Sequence, residues 1–324
     1  FFAPAWWRGP VLFLVHHVKV EMWHHFYFPK PVAHFGQFLE SAGQPFVYRN
    51  APVVAVSEST RTELVNLGFD RDRISLMHNG LDESAFLTPG SAAPVKSPEP
   101  QFVALGRLAP HKSVDRLLDL WSEVQPVTGG RFVIAGDGPE RARLEAREVP
   151  GVEFVGRIDE DRKRELLGSS WLLVHAARRE GWGLVVMEAA AQGTPSLTYD
   201  VMGLRDSIVD GVTGVRVPDD EAFAKAWIRL TEDHAERLRL GEAARARAET
   251  FTWDRTVEEF LAAAERAVAE GRGPHRRKDT VTSMTEQPGA GPASGQPAGA
   301  ADAAATVDLA TLPTGLRRSA ELFR

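Results

Sequence analysis

Residues 171–195 constrain this chain more than any other stretch. Residues 171–175, WLLVH, form a short apolar run of the kind found in buried parallel strands. A glycine-rich turn with an acidic residue follows: Glu180, Gly181, Trp182, Gly183. Residues 184–191 continue as an apolar helical run with Glu188 inside it, and Gly193 and Pro195 stop the helix. The segment reads as strand, glycine turn, helix. One carboxylate sits in the turn and one in the helix's second turn. Amides at Gly183, Leu184 and Val185 have no partner at a helix start, and with the helix dipole they suit an anion such as a diphosphate. Carboxylates accept hydrogen bonds, and sugar hydroxyls donate them. The combination points to a nucleotide-sugar ligand.

The same rhythm recurs along the chain. Apolar runs at 11–15, 51–56 and 74–77 alternate with helical stretches at 32–40 and 58–67, the latter opened by the capping residue Ser57 and closed by Gly68. Residues 88–100 are rich in Pro, Ser and Ala and read as a linker. A second series follows. Strands are expected at 102–105, 131–135, 152–155, 171–175, 195–199 and 214–217. Helices are expected at 114–124, 140–147, 159–167, 184–191, 204–209, 221–232, 236–250 and 257–270. Strand-helix alternation of this kind means parallel, doubly wound sheets. The fold class is therefore α/β with two Rossmann-like doubly wound domains, the first incomplete. The expected boundaries are 1–88 for a partial N-terminal domain, 89–100 for the linker, and 101–252 for a C-terminal nucleotide-sugar domain. A crossover helix spans 253–272, and a disordered Ala/Gly/Pro/Ser-rich tail spans 273–324.

Composition removes several classes. The 324 residues carry 38 Lys and Arg against 44 Asp and Glu, a net charge of -6, which argues against a nucleic-acid partner. There is no cysteine, so disulfides, thiolate metal sites and cysteine nucleophiles are excluded, in keeping with a reducing cytoplasm. No apolar run approaches the ~20 residues of a membrane span. The chain begins at Phe1 and is expected to be a fragment that starts inside a domain.

Three glycine turns follow expected strands, at Gly106, at Gly136 and Gly138, and at Gly181 and Gly183. Ligands of open α/β sheets bind at that edge, although glycine turns are common there for steric reasons alone. Arg107 and Lys112 follow the first of these strands, where two cations can clamp a diphosphate. The alternative is a pair of solvated charges. Glu188 has only apolar neighbours, Leu184, Val185, Val186, Met187, Ala189, Ala190 and Ala191. A glutamate without a polar face is costly unless it is paired or used. His16, His17, His24 and His25 could suggest zinc, but no matched Asp, Glu or Cys set flanks them. The aromatics Trp6, Trp7, Trp23, Phe26, Tyr27 and Phe28 are read as core packing, with an acceptor groove or a peripheral membrane contact as the alternative. That contact would place the protein at the inner face of the membrane.

Residues 180–188 (EGWGLVVME) followed by 189–195 (AAAQGTP) resemble the two-glutamate signature of the family-4, or group 1, retaining glycosyltransferases of GT-B fold. Gly106, Arg107, Leu108 and Lys112, then residues 136–139 (GDGP) and 78–82 (HNGLD), are similar to further signatures of that family. The resemblance covers about residues 11–265. It implies transfer of a hexose from a UDP- or GDP-sugar to a sugar, lipid or small-molecule acceptor, with no metal or other cofactor. It also implies the roles. Glu180 would contact hydroxyls of the transferred sugar and Glu188 the ribose. Arg107 and Lys112 would hold the diphosphate and stabilise the departing charge. Gly183 and Leu184 would add their amides. Gly136, Gly181, Trp182 and Val185 line the donor-binding set, and Arg157 and Ile158 would border the base. His16 stands where the family has an active-site histidine, with His17 one position away.

The chain departs from the family in having Met202, Gly203 and Asp206 where a Gly-Gly-x-x-Glu turn is frequent, and His175 where a small residue is common. The resemblance further implies that a half-domain carrying an acceptor-side glycine loop precedes the present residues, so the chain alone could be inactive. A sugar-nucleotide epimerase of the same fold and a non-catalytic sugar-nucleotide-binding fragment are the rival readings.

Overall fold

All strands described in the computed structural model pair in parallel, in two sheets. Residues 4, 7, 9–18, 20, 23, 29–86 and 94–271 are described. The expected tail at 273–324, the first part of the linker, and Trp6, His24, His25, Phe26, Tyr27 and Phe28 lie outside them. The first sheet is β1 (Phe13–Val15), β2 (Val53–Ala55) and β3 (Ile74–Leu76), in that order. The second has six strands: β4 (Gln101–Leu105), β5 (Arg131–Ala135), β6 (Val152–Gly156), β7 (Leu172–His175), β8 (Ser196–Tyr199) and β9 (Gly214–Val217). Their spatial order is β6-β5-β4-β7-β8-β9. The chain starts in the middle at β4, moves outward to β6, then returns to the other side of β4 as β7. The winding direction reverses between β4 and β7, and that crevice is where ligands of open sheets bind.

Helices fill the faces. The first sheet is accompanied by α1 (Lys30–Phe38), α2 (Gln44–Tyr48) and α3 (Glu58–Asn66). Ser57 caps α3, its hydroxyl accepting from the Thr60 amide at 3.0 Å. The expected helix at 32–40 runs on. Residues Leu39–Gly43 form a π turn that leads into α2. Pro45 cannot donate the amide that a regular helix would need there, and the wider turn accommodates the gap. The second sheet carries α4 (Val114–Thr128), α5 (Arg141–Glu145), α6 (Glu160–Ser169), α7 (Leu184–Ala191), α8 (Leu204–Ser207), α9 (Asp220–Glu232) and α10 (His234–Ala248). Helix α4 passes through Pro126 and stops at Gly129, where φ is 62°. A proline so near the end costs little, because Leu117, Leu118, Trp121 and Val124 already anchor the helix.

One face of the second sheet packs on an aromatic cluster of Phe102, Trp121, Phe132, Phe223 and Trp227, all fully buried. Their rings meet at centroid distances of 5.3–6.0 Å. The other face buries Val103, Val133 and Leu173 against Leu166, Val186, Ala189 and Leu204. Each such side chain contributes about 1.5–3 kcal/mol, which makes this sheet a rigid base for the loops at its edge.

The last helix, α11 (Trp253–Gly271), takes in the amphipathic run at 257–270 together with the four residues before it and returns to the first sheet. Its Ala263 is buried with Val54, Val56 and Met77. The Leu81 amide donates to Phe251 O at 2.9 Å, and the Thr256 hydroxyl donates to His78 O at 2.8 Å. The sheets also meet through the Ser59 amide, which donates to Asp206 Oδ2 at 2.9 Å, and through an ion pair of Arg179 with Glu63. None of the described helices is long and apolar enough to cross a membrane.

Candidate active site

Four loops leave the carboxyl ends of β4, β5, β6 and β7 side by side. The loop after β4 brings Gly106, Arg107 and Lys112. The loop after β5 clasps it, for the Leu108 amide donates to Asp137 O at 2.9 Å and the Glu140 amide to Leu108 O at 3.1 Å. The requirement for Gly136 is steric. A Cβ there would lie 1.9 Å from Gly106 O. The loop after β7 is tied to the loop after β4 by the Arg178 amide, which donates to His111 O at 3.0 Å. The two loops flanking the reversal of winding are thus bonded to each other before any ligand arrives.

Glu180 lies at their meeting point. Its carboxylate forms an ion pair with Lys112, and His175 Nε2 donates to Glu180 Oε1 at 2.8 Å. An ionised carboxylate only accepts, so the proton lies on Nε2. Burial raises the pKa of Glu180, but the hydrogen bond and charge of His175, together with Lys112, outweigh it and hold it at about 2. Glu180 is therefore a firmly ionised, oriented acceptor. Lys112 and Arg107 also matter to their neighbour His111, whose pKa is lowered by burial first and by the Lys112 charge second. Arg107 is exposed and makes no ion pair among the described residues.

Helix α7 starts at Gly183, whose φ of 83° turns the chain into the helix. Among the described residues the amides of Gly183, Leu184 and Val185 have no acceptor, so they face outward as donors. Leu184 is exposed, while Val185 packs on the core under the sheet. Glu188 projects from the next turn, and Lys163 Nζ of α6 donates to its Oε1 at 2.7 Å. Lys163 also holds Glu160 at 2.6 Å. Burial disfavours the Lys163 charge, but the hydrogen bonds to Glu160 and Glu188 outweigh it and raise its pKa. Glu188 is thus an acceptor held by one cation, in the helix that follows the Glu180 turn.

The remaining expected residues scatter in role. Gly181 packs against the first lobe, and a Cβ there would lie 2.1 Å from His16 O. This close approach places His16, which is exposed, beside the Glu180 turn. Trp182 is 3% exposed and packs between His78 and Phe251, at centroid distances of 5.4 and 4.9 Å. Its side chain belongs to the core, and only its backbone faces the turn. Arg157 is 85% exposed, with Asp137 at 3.7 Å, and Ile158 packs on the core. Lys163 escapes a reading of the sequence because its partner is distant along the chain. One signal was available: it lies three and four residues before the buried Leu166 and Leu167, on the inward flank of an otherwise polar helix. His175 stands out in sequence as a departure, but its bond to Glu180 follows only from the fold. Among the described residues no group of three or more His, Asp or Glu is placed to hold a metal ion.

Residues 91–247 match the model of the glycosyl transferases group 1. These residues belong to that family. It is 30% identical over 250 residues to a D-inositol 3-phosphate glycosyltransferase of Nocardioides sp., covering 68% of this chain and 54% of that protein. It is also 30% identical over 225 residues to a glycogen synthase of Mycobacterium tuberculosis, covering 65% and 54%. The chain spans about half the length of these curated relatives. Among solved structures, sucrose-phosphate synthase from Thermosynechococcus elongatus superposes with a TM-score of 0.67 at 23% identity, covering 80% of this chain and 68% of that one. Anabaena HepE, solved in complex with UDP-glucose, superposes with a TM-score of 0.64 at 19% identity, covering 81% and 73%. The chain therefore has the GT-B fold, with its six-stranded sheet as the family-matched lobe.

Proposed function

We propose that the protein transfers a hexose, with retention of configuration, from a nucleoside-diphosphate sugar to a sugar, lipid or small-molecule acceptor. The observation that carries this is the pairing at the winding reversal. Glu180, oriented by His175, stands beside Lys112, and three amides at the start of α7, without an acceptor among the described residues, lie between it and Glu188. The spacing suits a nucleotide sugar. The diphosphate lies against those amides, with Arg107 and Lys112 neutralising it. Glu180 accepts from hydroxyls of the sugar, and Glu188 accepts from the ribose. Arg157 and Ile158 border the base, and His16 approaches the sugar from the other lobe. Lys112 has to turn from Glu180 to the diphosphate, which frees one carboxylate lone pair for the sugar as the donor arrives.

The chemistry asked of the chain is electrostatic. Charge builds on the leaving diphosphate as the glycosidic bond breaks, and Arg107, Lys112 and the helix amides stabilise it where it forms. The acceptor attacks from the face the diphosphate leaves, and a phosphate oxygen takes the acceptor proton. The reading is supported by membership of group 1 and by relatives named as glycosyltransferases and synthases. HepE in complex with UDP-glucose supports a UDP-sugar in particular.

A donor screen tests it. Release of UDP or GDP is measured from several nucleotide sugars, with and without acceptor. Acceptor-dependent release that falls with Glu188→Ala is expected. Release of a free epimer without acceptor would assign an epimerase instead. No binding of any donor, with no effect of Glu188→Ala, overturns the proposal.

A further inference from the structure

A second cluster of cations lies at the opposite edge of the same sheet. Ser97, Trp171 and Pro195 precede β4, β7 and β8, so a cavity lined by them sits at the amino ends of the strands, away from Glu180. It has a volume of about 90 Å³ and is also lined by Lys96, His234 and Arg237. Arg237 is buried, with its guanidinium stacked over Trp171 at 4.1 Å. Neither Lys96 nor Arg237 forms a salt bridge among the described residues. Their acceptors are neutral. Lys96 Nζ donates to Ser170 O at 2.9 Å and Thr194 Oγ1 at 2.6 Å. Arg237 Nη1 donates to Leu230 O and Thr231 O, both at 2.6 Å.

Those carbonyls end α6 and α9, and a helix end supplies only about half a negative charge. Two unit cations against two such ends leave about one positive charge facing the cavity. Asp233, the acid whose charge acts on Arg237, is engaged as the cap of α10, accepting from the Glu236 amide at 2.8 Å. Donors are also left over. An ammonium has three protons, and Lys96 uses two on these acceptors. Arg237 Nη2 lies 3.3 Å from His234 Nδ1; arginine only donates, so Nδ1 accepts and His234 Nε2 carries a proton. Buried charge without a counterion is costly.

We propose that this cavity is an anion site for phosphate or a phosphate monoester, with Lys96, Arg237 and His234 as its donors. The site ties the segment between the two sheets, through Lys96 and Ser97, to the base of the six-stranded sheet. Burial, then the charge of Arg237, lowers the pKa of Lys96 to about 8. A bound dianion opposes both effects by favouring the charged ammonium.

The test separates this site from the donor edge. In an Arg107→Ala, Lys112→Ala background, thermal unfolding is followed against inorganic phosphate, with chloride at matched ionic strength as control. A phosphate-specific rise of roughly 3–5 °C at ten times the dissociation constant is expected. Adding Lys96→Gln or, separately, His234→Ala should abolish or sharply reduce that increment, whatever each does to the starting Tm. A glycerol 3-phosphate arm asks whether the cavity takes monoesters; a rise with it, or with inorganic phosphate alone, carries the site. No phosphate-specific rise, or an equal one with Lys96→Gln present, overturns it.

Discussion

His175 Nε2 donates to Glu180 Oε1 at 2.8 Å, joining the last residue of β7 to the acidic residue of the turn that β7 leads into. A strand end is held rigidly by its sheet, so the bond passes that rigidity to the carboxylate. Lys112 takes the same oxygen from the loop after β4. Glu180 is therefore fixed from both sides of the winding reversal.

Acid should undo this arrangement in a defined window. The folded pKa of Glu180 is held near 2 against an ordinary 4.5, because His175 and Lys112 outweigh burial. A lowered carboxylate pKa stabilises the fold above the ordinary value, and the contribution disappears as pH falls through the folded one. It amounts to at most about 3 kcal/mol and is lost between about pH 4.5 and 2. Urea unfolding of the wild type and Glu180→Gln at a series of pH values should show a gap at pH 7 that narrows steadily below about 4.5. A gap independent of pH would contradict the ion pairing.

Lys112 and Arg107 should differ in the unliganded protein and agree toward ligand. Each is placed to make charge-assisted bonds to a diphosphate worth about 1.5–3 kcal/mol, so alanine at either should weaken UDP binding about 10- to 150-fold by calorimetry. Only Lys112→Ala should lower stability as well, because it strips Glu180 of its cation while Arg107 is exposed and makes no ion pair among the described residues.

The Lys163–Glu188 pair should show up in a double-mutant cycle. Lys163→Met leaves Glu188 partly buried without its cation, at a cost of about 1–3 kcal/mol. With Glu188→Gln already present, the same change should cost less, giving a coupling of about 0.5–2 kcal/mol in urea unfolding. Additive costs would mean that the pair is solvated.

Trp182 separates packing from binding. Trp182→Ala should cost about 3–5 kcal/mol, because the side chain fills the core between His78 and Phe251. Its indole N–H is buried without a partner among the described residues, so Trp182→Phe removes an unsatisfied donor along with part of the ring and should cost much less. UDP affinity should be nearly unchanged in Trp182→Phe, as measured by calorimetry.

Much of this molecule is local in origin and can be read without coordinates. Helix α7 runs over Leu184–Ala191, and β9 over Gly214–Val217, each with the bounds expected from sequence. Glycine and proline punctuate both ends of α7, and apolar runs need no distant partner to declare themselves. Boundaries slipped where neighbours decided them. The helix expected at 114–124 runs on to Thr128, and Pro126 remained inside α4 because Trp121 and Val124 anchor that helix.

Sequence alone determined that Glu180 and Glu188 stand on one turn and one helix, eight residues apart, after a buried strand. It also placed Arg107 and Lys112 after another strand. Only the tertiary structure decided that β4 and β7 are neighbours, which brings Lys112 and His175 onto the same carboxylate and sets Lys163 against Glu188. It also turned Trp182 inward and set Gly181 against His16 O. The physical reason is that periodicity and capping act over a few residues, whereas strand order and helix docking join residues tens of positions apart through burial that no local pattern encodes.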